Sequence, residues 1–565
     1  MFDITRKFTV HIDGRGDLRV TPTDHVASGG EGHVYRPGAT SLALKIWDDP
    51  TRAAAGRMAE RIRLLAALKH PCLVAPEALA RDTKGDAIGY VMPWATGWEL
   101  PIAFTNDWRV SQGFGDAEAL EFADQMRRVT QFTHGHGVVI GDGNELNILG
   151  VGREPRYIDM DAWLPPGYLG DKIMPTIHDW HGKLFTREAD WFAWGVVTFQ
   201  LLTGIHPYRG THPDFKRGDL EGRMKSNASV FDRKVRLNAA VRPLSSIPLT
   251  LREWYEATFQ NGTRTMPPTI AINAATRVAA SVAITATDKI NVSEAFQLSV
   301  PFARTIAPDM ILLADGTILA LPDGRAIGLG VPDAIYARLP SGVAMAALTG
   351  HMVQFAVARP GVASVTNSAG LTASSLWGAA DRMFAVVGDG ILELMPRDLG
   401  QRYALLPGQK WALNPNATVF GDGVAVFDAL GAKHLVVPQS GKSVAIVRAK
   451  ELDGTKPISL LARGRTVIMT YLDKAGSYHR AAFMLRPDLA SYAVDIAPTD
   501  TGALTDVILD NGLVLWITAD GELGMNAGGT IDTFQLSGAS GGRLIAAPCG
   551  VFCIAGQRVF RISMA

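Results

Sequence analysis

The chain of 565 residues is longer than a single hydrophobic core normally supports, so at least two structural domains are expected. Its 47% hydrophobic and 19% charged residues describe an ordered globular protein. The 55 basic and 55 acidic residues cancel, and this balance gives no support for a nucleic-acid partner.

Cysteines and apolar runs narrow the class of protein further. Cys72, Cys549 and Cys553 are too few and too scattered for a disulfide framework. Cys549 and Cys553 have no second pair to complete a metal site, and we interpret them as alternate core-facing positions of one strand. The N-terminus lacks an apolar signal core, and no run of about 18 apolar residues occurs. We expect a soluble, cytoplasmic protein without a membrane segment.

Short strands over residues 8–20 precede a glycine-rich turn in the segment HVASGGEGHVYR. This turn contains Gly29, Gly30 and Gly32, with Val34 in the following strand. Because glycine has no β-carbon, the backbone N–H groups of such a turn can approach a phosphate closely. The turn is therefore a candidate phosphate-binding loop, although glycine turns also occur in ordinary hairpins.

The next strand, SLALKIW, carries Ala43 and Lys45 in an apolar run. An unpaired ammonium group would be costly there, and pairing with phosphates and a helix glutamate would remove that cost. Residues 51–69 have helical spacing and end before Pro71, and their one acidic residue is Glu60. Glu60 is therefore the candidate partner of Lys45.

The segment from residue 133 to 161 contains the pattern on which the functional interpretation depends. Asp142 and Asn147 are five positions apart in a polar loop, and Asp159 follows a short strand pair. Phosphoryl transfer needs one carboxylate to orient and deprotonate the acceptor hydroxyl, and an amide with a second carboxylate to hold Mg²⁺. The loop by itself fits a phosphotransferase and an acidic turn between strands equally well, and the rest of the chain decides between them.

Residues 22–268 resemble the protein-kinase superfamily. The D-x-x-x-x-N spacing of Asp142 and Asn147 is that of its catalytic loop, and Asp159 stands where the DFG aspartate would. The resemblance implies a bilobal α+β fold that binds ATP and Mg²⁺, with Asp142 as the base and Asn147 and Asp159 as metal ligands. Asp161 is the alternative, or an assisting, metal ligand. The residues implied to surround the nucleotide are Gly29, Gly30, Gly32, Val34, Ala43, Lys45, Glu60, Met92 and Trp94.

Two departures from the family occur in the catalytic loop. Ile140 and Gly141 replace its usual His-Arg pair, so a phosphorylated activation loop would find no arginine to bind. Asn144 replaces its usual lysine, and we count Asn144 among the candidate catalytic residues. These departures keep a pseudokinase, a kinase fold without catalysis, open as an alternative.

Two later segments agree with the same resemblance. The segment ADWFAWGVVTFQLLTGIHPY, which starts near Asp190, is almost wholly apolar and resembles the buried large-lobe helix of kinases. Asp190 is expected to cap this helix or to bind the backbone of the catalytic loop. The closing helices bring Arg264 near the position of the family's terminal arginine.

Beyond residue 300 the sequence changes to short apolar strands separated by Gly, Asp and Asn turns. These turns recur about every 40 residues, the length of a four-stranded propeller blade. The spacing predicts an all-β propeller of about seven blades, with a strand near residue 295 closing the ring. A pair of β-sandwiches is the alternative. The turns fall near residues 315, 353, 389, 428, 473, 520 and 556.

The sequence thus predicts a multidomain protein with a kinase-like half and a propeller-like half. The predicted function is ATP- and Mg²⁺-dependent protein phosphorylation on Ser or Thr, with the propeller recruiting a protein partner or substrate. A pseudokinase-propeller scaffold without catalysis is the alternative from another class, and the large-lobe helices disfavour a small-molecule kinase. The predicted divisions are N-terminal strands (1–21), kinase-like domain (22–268), linker or closing strand (269–300) and propeller-like domain (301–565).

Overall fold

The structure is a computed structural model that describes most of the chain. We refer below to an N-terminal part, residues 6–270, and a C-terminal part, residues 285–564. Residues 271–284 and 287–289 of the linker predicted over 269–300, and Gly29 and Gly30 of the glycine-rich turn, lie outside the described residues. The described ranges are 6–28, 32–170, 172–216, 218–237, 240–270, 285–286, 290–331, 333–340, 342–361, 367–379, 381–399, 402–439, 443–518, 522–527, 530–534, 536–537 and 542–564.

The N-terminal part opens with a curled antiparallel sheet of seven strands in the order β2-β1-β6-β7-β5-β4-β3. Both faces of its central strands are buried, and for that reason β5 and β7 are apolar almost throughout. A smaller sheet of three strands follows. The strands are β1 (Phe8–Ile12), β2 (Gly16–Val20), β3 (His25–Ser28), β4 (Gly32–Tyr35), β5 (Leu42–Trp47), β6 (Ala78–Arg81), β7 (Ala87–Pro93), β8 (Trp98–Glu99), β9 (Ile148–Val151) and β10 (Glu154–Tyr157).

Seven α-helices occur in the described residues of the N-terminal part. The largest hydrophobic core surrounds α4 and α5, and α5 is buried along nearly its whole length, as its apolar sequence predicts. Thr186 caps α5, because its Oγ accepts a hydrogen bond from the Ala189 N–H (3.2 Å). The helices are α1 (Pro50–Ala55), α2 (Met58–Leu65), α3 (Asn106–Ser111), α4 (Asp116–Gly135), α5 (Arg187–Thr203), α6 (Leu220–Lys225) and α7 (Leu249–Phe259).

The helix predicted over residues 51–69 is broken into two. Between α1 and α2 the chain passes through Gly56 and Arg57, and Arg57 takes a left-handed conformation with φ of 54°. The break changes which face of α2 meets the sheet, and this matters for Glu60. None of the described helices is long and apolar enough to span a lipid bilayer.

The C-terminal part is mostly β-structure, with seven four-stranded antiparallel sheets among its described residues. A two-stranded sheet also pairs β11 (Thr285–Ala286) with β37 (Leu536–Ser537). One sheet joins β12 (Ile290–Gln297) to three strands at the end of the chain, β38 (Arg543–Ala547), β39 (Gly550–Ala555) and β40 (Arg558–Met564). The next three sheets in chain order are β13 (Phe302–Ala307), β14 (Met310–Leu313), β15 (Thr317–Ala320) and β16 (Ala326–Leu329); β17 (Ile335–Leu339), β18 (Gly342–Thr349), β19 (Met352–Ala358) and β20 (Asn367–Thr372); and β21 (Ser375–Ala379), β22 (Arg382–Val387), β23 (Gly390–Asp398) and β24 (Tyr403–Ala412). The last three are β25 (Thr418–Phe420), β26 (Ala425–Ala429), β27 (Ala432–Pro438) and β28 (Val444–Arg448); β29 (Lys456–Arg463), β30 (Thr466–Leu472), β31 (Tyr478–Leu485) and β32 (Tyr492–Pro498); and β33 (Val507–Ile508), β34 (Val514–Ile517), β35 (Leu523–Ala527) and β36 (Thr530–Phe534).

The repeating unit predicted from the turn spacing is therefore a four-stranded antiparallel sheet. The predicted turns fall at or next to the hairpins that join the two middle strands of the successive sheets. The strand expected near residue 295 is β12, and it pairs with β40 at the end of the chain. These findings confirm a mostly-β region of four-stranded sheets, while their arrangement as a propeller stays a prediction.

The N-terminal and C-terminal parts contact each other directly. Leu146 of the N-terminal part packs against the apolar cluster of Ile458, Leu472 and Tyr478. Polar contacts accompany this apolar contact at separate points. They are Asn414 Nδ2 donating to the His25 carbonyl (2.9 Å), the Lys456–Glu99 ion pair (2.9 Å) and the Arg543–Asp107 ion pair (2.7 Å).

Candidate active site

Lys45 lies at the centre of the candidate site. In the antiparallel sheet it stands opposite Val34 of β4 and Tyr90 of β7, so the three side chains share one face. Lys45 is only 4% exposed, and its Nζ donates to Asp161 Oδ1 (2.9 Å) and to Asp159 Oδ1. Burial opposes its charge, but the two carboxylates outweigh burial and hold the pKa of Lys45 well above its ordinary value. The ammonium group therefore stays charged.

Asp159 directly precedes the short helical turn Met160–Ala162 that follows β10, and Asp161 lies within this turn. Burial raises the pKa of Asp159 to about 7. Burial also opposes ionisation of Asp161, but Lys45 and the hydrogen bond with Asp159 lower its pKa. Asp161 Oδ2 is buried and has no hydrogen-bond partner among the residues that the structure describes, as expected of an oxygen that would receive a cation. This orphaned oxygen is the feature that best fits a metal ion.

The catalytic loop is held in place by Asp190 of α5. Its two oxygens accept hydrogen bonds from the backbone N–H groups of Ile140 and Gly141 (2.8 Å each), and His134 Nε2 also lies 2.8 Å from it. Of the two roles expected for Asp190, the structure shows the binding of the loop backbone. Gly141 has φ of 75°, a conformation that favours glycine over the arginine usual in kinases.

Asp142 and Asn147 lie together in this loop. Asn147 Nδ2 donates to the Asp142 carbonyl (3.0 Å), which orients the amide and leaves its oxygen available to a metal ion. Burial raises the pKa of Asp142, opposed by hydrogen bonds from Asn144 and from the Met174 backbone. A carboxylate with a raised pKa suits a general base working near neutral pH. Asn144 Oδ1 accepts from the Leu146 N–H (2.8 Å), so Asn144 organises the loop.

The chain itself already binds one oxygen of Asp142. The Met174 N–H donates to Asp142 Oδ1 (3.2 Å). Gly476, in the turn between β30 and β31, lies against Met174 and Thr176, so that a β-carbon there would stand 2.8 Å from Met174 Sδ. The C-terminal part therefore packs against the segment 174–176, whose Met174 binds Asp142.

The expected pairing of Lys45 with Glu60 is not formed, and this corrects the sequence interpretation. Glu60 lies on the exposed face of α2 and pairs with Arg57 (2.6 Å). Arg61, the next residue of α2, has its Nε buried, and its charge lowers the pKa of Asp161. Helix α2 thus brings a cation, in place of the expected carboxylate, towards the Lys45 cluster.

The remaining nucleotide candidates lie on the sheet or next to it. Gly32 is required structurally, because any β-carbon there would collide with the Ile46 carbonyl of the neighbouring strand. Ala43 and Met92 are paired across β5 and β7 and are both buried. The Trp94 N–H donates to the Ser41 carbonyl (2.7 Å), so this backbone donor is already used within the protein.

The candidate metal ligands are two carboxylates and one amide. The described ranges contain no group of three or more His, Cys, Asp or Glu side chains that could hold a metal ion. Sequence reasoning missed Arg61, the Met174 contact and the contact made by Gly476. The position of Arg61 next to Glu60 was a signal in the sequence. The contacts of Met174 and Gly476 arise only from long-range packing.

Comparison with known proteins supports a distant relationship to kinases. No protein-family model matches the chain. The chain is similar to a cAMP-dependent protein kinase catalytic subunit from Arthrobotrys oligospora, with 24% identity over 182 residues. The match covers 30% of this chain and 33% of that protein, so the chain spans about one third of the length of this relative. The similarity supports a kinase-like relationship for the matched part.

Proposed function

We propose that residues 22–268 form an ATP- and Mg²⁺-dependent protein kinase domain directed at Ser or Thr. The observation that carries this proposal is the cluster of the buried Lys45 and Asp161 with the partly exposed Asp159, in which one Asp161 oxygen has no hydrogen-bond partner among the described residues. In kinases a lysine binds the nucleotide phosphates, and an aspartate with an asparagine holds Mg²⁺, and Lys45, Asp159 and Asn147 supply these residue types. The similarity to a kinase catalytic subunit agrees with it.

In this mechanism each residue has a separate task. Lys45 binds the nucleotide phosphates, Asn147 with Asp159 and Asp161 holds the metal, and Asp142 accepts the proton of the acceptor hydroxyl. Magnesium supplies charge neutralisation on the phosphates when bound. Asp142 Oδ1 already accepts a hydrogen bond from the Met174 N–H, so the acceptor hydroxyl would bind a remaining lone pair of this carboxylate.

The test separates nucleotide binding from transfer. Mg-ATP should raise the melting temperature of the full chain, and Lys45→Ala should remove most of that increase. Asp142→Asn should keep the increase and lower phosphate transfer by orders of magnitude, because only the base is lost. Transfer by Asp142→Asn equal to that of the wild type would show that Asp142 is not the base.

A scaffold without catalysis is the second candidate function. The hydrogen bond that the Met174 N–H donates to Asp142, and the packing of Gly476 against Met174, favour it. In that case Mg-ATP leaves the melting curve unchanged at millimolar concentration, or binds without any phosphate transfer.

For residues 301–565 we propose a seven-bladed propeller that recruits a protein partner or substrate. The seven four-stranded sheets and the pairing of β12 with β40 support a closed ring.

A further inference from the structure

A chain of hydrogen bonds on one face of the seven-stranded sheet joins a serine, two histidines and an aspartate. Ser28 ends β3 and stands opposite His33 of β4 across the hairpin. The Oγ atom of Ser28 lies 2.9 Å from His33 Nδ1 and 2.9 Å from His25 Nε2. His33 Nε2 in turn lies 3.0 Å from Asp48 Oδ1, just beyond the end of β5. We call these residues the Ser28 network.

The strand register places the Ser28 network on the face of the sheet opposite to Lys45. Lys45 stands opposite Val34, whereas His33, the preceding residue of β4, stands opposite Ile46. Successive side chains of a strand point to opposite faces of a sheet, so His33 and Lys45 lie on different faces. The network is therefore separate from the candidate active site around Lys45.

An irregularity in β3 brings His25 to the same face as Ser28. His25 pairs with Tyr35 and Ser28 with His33, with a shift of register between His25 and Ala27. In a regular strand two residues three positions apart point to opposite faces, and an extra residue on one strand removes that alternation. His25 is 2% exposed, whereas Ser28 is exposed to solvent. The hydroxyl is thus held by a buried histidine and can still be reached from outside.

The hydrogen bonds of the network determine where its protons lie. The Asp48 carboxylate only accepts, so a neutral His33 carries its proton on Nε2 and leaves Nδ1 as an acceptor. The Ser28 hydroxyl therefore donates to His33 Nδ1. Burial lowers the pKa of His25, so that ring is neutral, and its Nε2–H donates to Ser28 Oγ.

This order of donors is the one that activates a serine hydroxyl. A serine becomes a nucleophile when a neighbouring base takes its proton and a third group orients that base. His33 is the base here, and Asp48 orients its ring and stabilises the positive charge that follows proton transfer. The Nε2–H of His25 stabilises negative charge that develops on Ser28 Oγ. Because this hydroxyl lies on the face away from Lys45, its reaction partner arrives from solvent.

We propose that Ser28 is an activated nucleophile that accepts an acyl group from an ester. Ser28 Oγ attacks the carbonyl carbon of the ester and passes its proton to His33 Nδ1. The bond between this carbon and the alcohol oxygen then breaks, and the alcohol leaves with that proton. The products are acyl-Ser28 and a free alcohol, so no oxidant or reductant is needed. The reaction does not depend on the proposed kinase function.

The test incubates the full chain with p-nitrophenyl acetate in the absence of nucleotide, and peptide mass spectrometry follows the acetylation of individual residues. Ser28 should be acetylated at least about a hundredfold faster than Ser41, because activation by a histidine and an aspartate is worth several orders of magnitude. Ser41 is the internal control, since it is exposed just before β5 and its hydroxyl has no histidine partner within the described ranges. His33→Gln should remove the difference between the two serines.

A matched pair of aspartate variants tests the orienting group. Asp48→Asn should slow the acetylation of Ser28 by at least about tenfold, because the His33 ring loses the carboxylate that fixes its proton on Nε2. Asp17→Asn makes the same charge change on β2, at the other edge of the sheet, where Asp17 pairs with His11 at the surface. That variant should acetylate Ser28 at the rate of the wild type. Melting temperatures check that both variants are folded.

Equal acetylation rates of Ser28 and Ser41 in the wild type would overturn the proposal and make the network a structural feature of the hairpin. Equal rates of Asp48→Asn and Asp17→Asn would overturn it as well, because the carboxylate would then have no part in the activation. If His33→Gln fails to fold, these two surface variants and the comparison with Ser41 still decide the outcome.

Discussion

At the scale of single residues, Lys45 pairs with an aspartate that follows β10 and not with the glutamate of α2 that the sequence suggests. Lys45 takes Asp161 as its buried partner, whereas Glu60 pairs with Arg57 at the surface. An ion pair that is exposed to solvent contributes little free energy, so we expect Glu60 to contribute little to nucleotide binding. The buried carboxylate is the one on which the lysine depends.

The pairing of Lys45 with Asp161 leads to a prediction for nucleotide binding. Glu60→Gln should leave both the melting temperature and the affinity for Mg-ATP unchanged, whereas Asp161→Asn should weaken Mg-ATP binding by more than about tenfold. Thermal unfolding measures the melting temperature and calorimetric titration measures the affinity for Mg-ATP. Arg63→Gln on the exposed face of α2 is the control for each. A clear loss of affinity in Glu60→Gln would mean that α2 rotates when nucleotide binds and brings Glu60 to Lys45.

The pKa of Asp159 gives a second prediction at this scale. Burial raises that pKa to about 7, so a proton competes with the metal below this pH and leaves above it. Mg²⁺ affinity should therefore rise by up to about tenfold per pH unit between pH 6 and pH 7, and level off towards pH 8. Titration of Mg²⁺ in the presence of a nucleotide at fixed pH values measures this change. Asp159→Asn should flatten the dependence, and a steep profile in that variant would assign the proton to another group.

At the scale of elements, the hairpin between β30 and β31 is the contact that reaches the catalytic loop. Its Gly476 has φ of 76° and lies against Met174 and Thr176, and Met174 binds Asp142. The neighbouring hairpin, between β29 and β30, has Gly464 with φ of 59° and nothing within 4 Å of a β-carbon. The two glycines share a backbone conformation but not an environment.

Replacing each glycine with asparagine, which tolerates positive φ, isolates the contact. Gly476→Asn should destabilise the protein by about 1–3 kcal/mol through overpacking and should speed hydrogen exchange over residues 174–176. Gly464→Asn should change neither quantity measurably. Equal melting temperatures of the two variants would show that the hairpin yields without disturbing the segment beneath it.

At the scale of the whole molecule, the two parts have separate cores but a shared boundary. The main core of the N-terminal part draws its buried members from residues 65–270 alone. The boundary includes the packing of Leu146 against Ile458, Leu472 and Tyr478, together with ion pairs. The N-terminal part therefore has the means to fold without its neighbour, at a cost in stability.

Truncation after residue 270 tests this division. The shortened chain should unfold cooperatively at a lower temperature than the full chain, because Leu146 and Arg209 lose their covering. It should still gain stability from Mg-ATP, since Lys45, Asp159 and Asp161 all lie within it. Scanning calorimetry with and without nucleotide gives both answers. If no cooperative transition is seen, the two halves form one structural unit.

Local features of the sequence were sufficient to predict much of the architecture. Alternating apolar residues and Gly-, Asp- and Asn-rich turns predicted the four-stranded units, because strand pairing across a short hairpin depends mainly on neighbouring residues. The apolar segment around Asp190 predicted a buried helix for the same kind of reason. The spacing of Asp142 and Asn147 indicated two residues that the structure does bring into contact, and Ile158, next to Asp159, donates to the Asn147 carbonyl. Whether the seven sheets close into a propeller stays a prediction.

Only the tertiary structure decided which residues meet at the site and at the boundary. Helical spacing alone does not reveal the partner of Lys45, because the structure breaks the predicted helix at Arg57, Glu60 pairs with Arg57 at the surface, and Lys45 pairs with Asp161. The contact of Gly476 with Met174, and the hydrogen bond of Arg209 with the Thr499 carbonyl, join residues about 290 to 300 positions apart. Such contacts are determined by how two complete surfaces fit, and that fit is encoded in no single segment of the sequence.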